Sequence, residues 1–192
     1  MGGSSGCIRG TVMKRSILAF FGLTVVILTS ALRAGGQSIP PVNAKALDDS
    51  QVVLPKPGGT QFLILVLGFS HKSGDHCTPW DKRLAAEFHS DARIAYYQIP
   101  VLAGAPSLVR PMILKGMRKG VPAAEHSRFV PVYDHEAEWK KLVNFSAPDD
   151  PYLVLTRADG SVVWQTHGLL SESLYGELKN AATKALADDG KK

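Results

Sequence analysis

Cysteine is nearly absent: the 192 residues include two, Cys7 and Cys77. Dithiol–disulfide exchange needs an attacking thiolate and a resolving thiol whose Cα atoms lie roughly 5.5–6 Å apart. Cys7 precedes a long apolar run and Cys77 follows it, so one molecule offers no such pair. A scaffold stapled by internal disulfides is excluded on the same ground. Acid is missing from residues 1–36, which hold Arg9, Lys14, Arg15 and Arg33. Four of the 22 basic side chains therefore lie there, and the other 18 face 17 acids, a net charge of +1. A nucleic-acid binder concentrates positive charge on its folded part. Here the excess sits in the leader, and nucleic acid is set aside as a partner. Internal repeats and low-complexity segments are missing too.

What is present begins with that leader. Ser16 to Leu32 is uncharged, follows Lys14-Arg15 and precedes the small residues Ala34-Gly35-Gly36. A basic n-region, an apolar h-region and a small-residue exit describe a signal peptide. The alternative is an uncleaved membrane anchor over residues 16–32, since the run approaches the roughly 20 residues that span a bilayer. Either way the basic flank keeps the N-terminus cytoplasmic and sends the rest outward, to a periplasmic or other extracytoplasmic location. No cysteine stands directly after the run, which argues against a lipoprotein anchor. The expected division is 1–36 leader or anchor, 37–46 polar linker, 47–187 folded domain and 188–192 disordered tail.

Within the domain, Gln51–Leu54 reads as a short strand, and Phe62–Phe69 is apolar on both faces, the pattern of a buried central strand. Pro79–His89 reads as a helix with Thr78 as N-cap, Pro79 at the first position and Asp81 completing a capping box. Arg93–Leu102 is a second strand. Ser107–Lys119 carries a helical apolar face of Leu108, Met112, Ile113 and Met117, Phe129–Tyr133 is a short strand, and His135–Asn144 is a helix. Tyr152–Thr156 and Ser161–Gln165 form a hairpin, because Asp159-Gly160 supplies the positive φ angles of a tight turn. Ser171 opens a last helix through Ala187. This order implies an α/β fold, a central mixed sheet with helices on both faces.

Asp150-Pro151-Tyr152-Leu153-Val154-Leu155, Asp159-Gly160, Gly168 and the final helix resemble the C-terminal half of the thioredoxin fold. The resemblance covers roughly residues 47–187, with a helical insertion from Gly104 to Tyr133. It implies a redox dithiol at a strand-to-helix junction, which places Cys77-Thr78-Pro79-Trp80 there with tryptophan in the second sulfur's position. It also makes Pro151 the counterpart of a cis-proline facing that junction. Gly68-Phe69-Ser70, Trp80, the basic stretch Lys115–Gly120, and Tyr152–Leu155 with Trp164 further resemble the thioredoxin-like assembly factors of the mitochondrial ATP synthase membrane sector and their bacterial relatives. That narrower resemblance implies a chaperone or binding role.

Cys77 is the candidate catalytic residue. Before a helix N-terminus its thiolate would feel the positive end of the macrodipole, with Lys72 and His76 helping and Asp75 and Asp81 opposing. The alternative is an inert, partly buried cysteine. His71, Asp75, His76 and Cys77 invite Cu(I) or Zn(II), but the second cysteine and a remote fourth ligand are lacking, with Asp149 and Asp150 before the hairpin instead; no metal or other cofactor is assigned. Trp80 is either an exposed anchor or a core residue. Met112, Ile113 and Met117 form either core or an adaptable groove. Arg110, Lys115, Arg118, Lys119 and Arg128 either favour anionic headgroups or make a solvated face. The expected function is binding of an envelope protein partner, without a dithiol and with no small-molecule substrate identified, through Ser70, Trp80, Asp150 and Pro151. The competing expectation is a monothiol oxidoreductase using Cys77 and an external resolving thiol.

Overall fold

The computed structural model describes residues 36–56 and 58–190. The apolar run over 16–32, Cys7 and the last two lysines lie outside the described residues. Among the described residues no helix is long and apolar enough to cross a membrane. The elements follow as β1 (Val42–Lys45), β2 (Gln51–Leu54), β3 (Phe62–Gly68), α1 (His71–Phe88), β4 (Ile94–Pro100), α2 (Arg110–Gly120), a 3-10 helix (Ala123–Arg128), α3 (Glu136–Leu142), β5 (Tyr152–Arg157), β6 (Val162–His167) and α4 (Glu172–Asp189).

β3 is apolar at every position because both its faces are covered. It is central in the sheet order β4-β3-β5-β6, parallel to β4 and antiparallel to β5, while β5 and β6 are antiparallel. Alternation along β3 sorts its side chains into two cores. Leu63, Leu65 and Leu67 pack with Ile39, Val42, Leu54, Trp139 and Tyr152 under the β1–β2 hairpin and α3. Phe62, Ile64 and Val66 pack with Trp80, Leu84, Tyr175 and Leu178 under α1 and α4. Each fully buried aliphatic side chain contributes about 1.5–3 kcal/mol, so the sandwich of sheet between two helical layers follows from β3 itself.

The tight turn after β5 forms as its residues require. Gly160 has φ +86°, and a Cβ there would meet Pro55 and Ile39 at 3.0–3.1 Å. The Asp159 carboxylate accepts from the Ser161 backbone N–H at 2.9 Å, closing the turn. Ser171 caps α4 by accepting from the Leu174 N–H.

Four expectations need correction. Residues 37–46 are not a linker: Ile39, Val42 and Ala46 are buried, β1 pairs with β2, and the Val162 N–H donates to the Gln37 carbonyl at 2.7 Å. Helix α4 runs on through Asp189, into the segment read as tail. Phe129–Tyr133 makes no full strand but pairs beside β4, with the Val130 N–H donating to the Gln98 carbonyl at 2.8 Å and the Val132 N–H to Pro100 at 2.9 Å. The fourth correction is the largest. Helix α1 begins at His71, not Pro79, because Ser70 and Ser73 form a reciprocal capping box. Pro79 therefore lies inside the helix, on its exposed side, where it removes one backbone hydrogen bond.

Candidate functional site

The earlier start of α1 changes what stands at the junction with β3. The Ser70 hydroxyl accepts from the Ser73 N–H at 3.0 Å, and the Ser73 hydroxyl accepts from the Ser70 N–H at 2.9 Å. The close approach of helix and strand needs Gly68, where a Cβ would come within 3.1 Å of Ser73 Oγ and 3.5 Å of Cys77 Sγ. From the β5 side, Asp149 reaches the same cap. Its carboxylate accepts from the Ser70 hydroxyl at 3.0 Å and pairs with Lys72 at 3.2 Å. His76 Nδ1 donates to the Asp149 carbonyl at 2.8 Å. Hydrogen bonds from Lys72 and then Ser70 hold the Asp149 carboxyl below the usual carboxylate range.

Cys77 is elsewhere. It occupies the second turn of α1, fully buried among Ile64, Val66 and Trp80, with its thiol directed at the Leu67 carbonyl at 3.8 Å. Burial, and after it the neighbouring Asp81 carboxyl, push the thiol pKa up. The macrodipole acts within the first turn of a helix and does not favour a thiolate there. A buried, protonated thiol is a poor nucleophile, so the geometry works against Cys77 as a catalytic residue.

Of the expected partner contacts, Ser70 and Asp150 lie at the surface, each partly exposed, and Trp80 and Pro151 do not. Trp80 is fully buried and donates its indole N–H to the Gly168 carbonyl at 3.1 Å. The Gly168 N–H in turn donates to the Pro151 carbonyl at 3.0 Å. Trp80 and Pro151 thus lock α1 to β5 and β6 from inside. The Asp150–Pro151 bond is not cis; among the described residues the cis peptide is Leu54–Pro55. Asp150 accepts from His167 Nδ1 at 2.8 Å, and that imidazole stacks on Tyr152. The four metal-ligand types do not converge. His71 and Asp75 lie on the exposed face, His76 turns to Asp149, and Cys77 is interior; among the described residues no group of three such side chains is placed to hold a metal.

The insertion also departs from expectation. Helix α2 contributes no buried residue, and Leu108 and Met112 are exposed. Its inner side, with Ile113, Gly116 and Met117, walls a cleft of about 640 Å³ whose other side is Gly68, Phe69, Ser70, Gly74 and Thr78. A methionine-bearing groove, rather than core, is the outcome. Of the basic residues read as either a headgroup-binding or a solvated face, Arg110 donates to the Ala105 carbonyl and lies over the Tyr133 ring, and Arg118 pairs with Asp49.

No family model matches the chain, and no curated protein matches it. Solved structures do. A Chlorobium tepidum protein assigned by name to the DsbE thiol:disulfide interchange proteins superposes with a TM-score of 0.53 at 16% identity, over 79% of this chain and 96% of that one. The pneumococcal exposed lipoprotein thioredoxin Etrx1 of Streptococcus pneumoniae gives 0.51 at 13% identity, over 73% and 99%. BsSco, a member of the Sco family of cytochrome c oxidase assembly proteins, gives 0.50 at 17% identity, over 77% and 95%. The fold is thioredoxin-like. At these identities the likeness is one of fold alone. At the junction of β3 and α1 this chain carries the capping serines Ser70 and Ser73 and no thiol. The sequence reading placed that junction at Cys77 and Trp80. The signal that would have found it is Ser70-x-x-Ser73 directly after the apolar run, a capping box with serine where glutamate or glutamine is more familiar.

Proposed function

We propose that this is an extracytoplasmic, redox-inactive thioredoxin-like protein that binds a protein partner or assists assembly at the cell envelope. One observation carries the reading: the α1 N-terminus presents the hydroxyls of Ser70 and Ser73 and no thiol, while Cys77 lies buried in the core, where burial raises its thiol pKa. Serine hydroxyls cannot be oxidised to a disulfide, and Ser70 and Ser73 are already saturated by each other and by Asp149. The cleft between α1 and α2 is the receiving surface. Its partly apolar lining, with Phe69, Val101, Ile113 and Met117, suits the side chains of an extended chain. The assembly role is the narrower reading, supported by the resemblance of Gly68-Phe69-Ser70 and Lys115–Gly120 to the ATP synthase assembly factors. The outward location rests on the basic and apolar leader over residues 14–32. Nothing in the geometry favours the monothiol enzyme.

Two measurements test the proposal together. With dithiothreitol and insulin, the wild-type chain is expected to stay at the uncatalysed background. The double variant Ser70→Cys, Ser73→Cys is expected to exceed it several-fold, because a thiolate at the N-cap is favoured by the macrodipole. A photo-cross-linking side chain at His71, beside the cleft, is expected to give discrete protein adducts in cells, and one at Lys184 on α4 none. Wild-type turnover, or adducts equally frequent from both positions, overturns the reading.

A further inference from the structure

Beside the cleft, and sharing Thr78, Gln98, Gly120, Val121 and Phe129 with it, lies a smaller pocket of about 290 Å³. It is enclosed by the third turn of α1, by β4 and by the 3-10 helix. Ala85, Val121, Pro122 and Phe129 give it apolar walls. Two acidic residues line it, Asp81 from α1 and Glu125 from the 3-10 helix. The Asp81 side chain is partly buried, and its Oδ1 is shielded from solvent with no hydrogen-bond partner. A shielded acceptor left unpaired is destabilising, and such groups are rare enough in folded proteins to call for an explanation.

The charges around the pocket decide what would satisfy it. Among the described residues neither carboxyl has a cation within 4 Å. Arg128 is occupied otherwise, its guanidinium 4.2 Å from the centre of the Tyr96 ring. The Tyr96 hydroxyl donates to Glu125 Oε2 at 3.3 Å, which leaves the other Glu125 oxygen free. Lys82 is exposed at the rim. Burial, and then the Glu125 charge, raise the Asp81 pKa well above the ordinary carboxylate value.

We infer that this pocket receives a protonated amine or guanidinium on a short aliphatic stem, held between Asp81 and Glu125, as carried by a lysine or arginine side chain of a polypeptide lying in the adjoining cleft. That source rests on the cleft receiving a polypeptide; the preference for a cation does not. The cation supplies donors to the unpartnered Asp81 oxygen and relieves the repulsion between the two acids, while the stem covers Val121 and Phe129.

The test titrates the purified full-length chain with N-acetyl-lysine methylamide and its neutral and anionic counterparts, N-acetyl-norleucine and N-acetyl-glutamate methylamide. Backbone amide shifts at Asp81, Val121 and Glu125 are the readout. The lysine probe is expected to bind saturably and at least about tenfold more tightly than norleucine, and Glu125→Gln is expected to remove most of that difference. Norleucine binding as tightly, glutamate binding more tightly through Arg128, or no saturable shift overturns the cation pocket. A second arm compares the lysine probe with an extended octapeptide bearing one central lysine. Tighter peptide binding with added shifts at Gly104 and Gly116 supports the polypeptide source. Equal binding confined to the pocket overturns that source and leaves the pocket a site for free amines. Circular dichroism of Glu125→Gln, expected unchanged, separates lost binding from lost fold.

Discussion

The first and third turns of α1 are built from similar materials and end in opposite states. In the first turn, Ser70 and Ser73 exchange hydrogen bonds, Asp149 closes over them, and both serine hydroxyls are partnered. In the third, Trp80 is anchored by a single indole hydrogen bond, and its neighbour Asp81 keeps a buried oxygen without a partner. The junction of β3 and α1 is a well-capped helix end. The unresolved polar demand has moved two turns along, to a pocket between α1 and the inserted segment. Ligand chemistry is to be sought where demand is unmet.

The sharpest way to break this contrast is to remove the anchor of the third turn. Trp80→Ala deletes a fully buried indole and its bond to Gly168, and the expected loss is about 3–5 kcal/mol, a Tm drop on the order of 10 °C. Thermal unfolding followed by circular dichroism measures it. A loss under 1 kcal/mol would mean that Trp80 is not packed between sheet and α4, and that α1 is registered differently. The next effect is smaller and depends on pH. Asp81 has a raised carboxyl pKa in the folded state, so above the unfolded value the unfolded chain releases the proton first. Stability attributable to this site therefore falls as pH rises from about 4. The groups facing it are Cys77 and Lys82 on α1, Tyr96 on β4, and Glu125 and Arg128 on the 3-10 helix. Asp81→Asn cannot ionise, so its Tm is expected to match wild type near pH 4 and exceed it increasingly toward pH 8. A constant offset at all pH values would exclude ionisation as the cause.

The two halves of the chain differ in legibility for a physical reason. β5, β6 and α4 are readable because local signals agree: strand-length segments joined by an Asp-Gly turn, then a serine N-cap, each found in place. The mixed α/β sheet was readable from the continuous apolar run of β3. The start of α1 was not, because proline at a first helical position is a strong rule and Pro79 obeys its appearance while sitting mid-helix. That eight-residue shift carried Cys77 from an exposed N-terminus into the core and Trp80 from surface to interior. Residues 37–46 were misread because their burial depends on pairing with β6 and the Gly160 turn, far along the chain. For α2, periodicity disclosed an apolar face but not what covers it. The carboxyl pocket has no sequence signature at all, since Asp81 and Glu125 lie 44 positions apart and meet only through β4 and the insertion.

The smallest expected effect sharpens the comparison from the satisfied side. Asp149 is depressed chiefly by its bonds to Lys72 and Ser70, with desolvation acting against them. Its contribution to stability is present above the unfolded carboxylate value and is lost as pH falls through the lower folded one. Lys72→Ala removes the largest of those causes and leaves the Ser70 bond, so the Asp149 carboxyl is expected to titrate higher than in wild type yet still below its unperturbed value. Carboxyl 13C shifts followed between pH 2 and 6 measure this directly. Because Lys72 and Asp149 are both half-exposed, little change in Tm should accompany it, as for other surface ion pairs. A carboxyl that does not move would mean that Asp149 is held by the helix end alone, and that Lys72 is free to meet a partner at the mouth of the cleft.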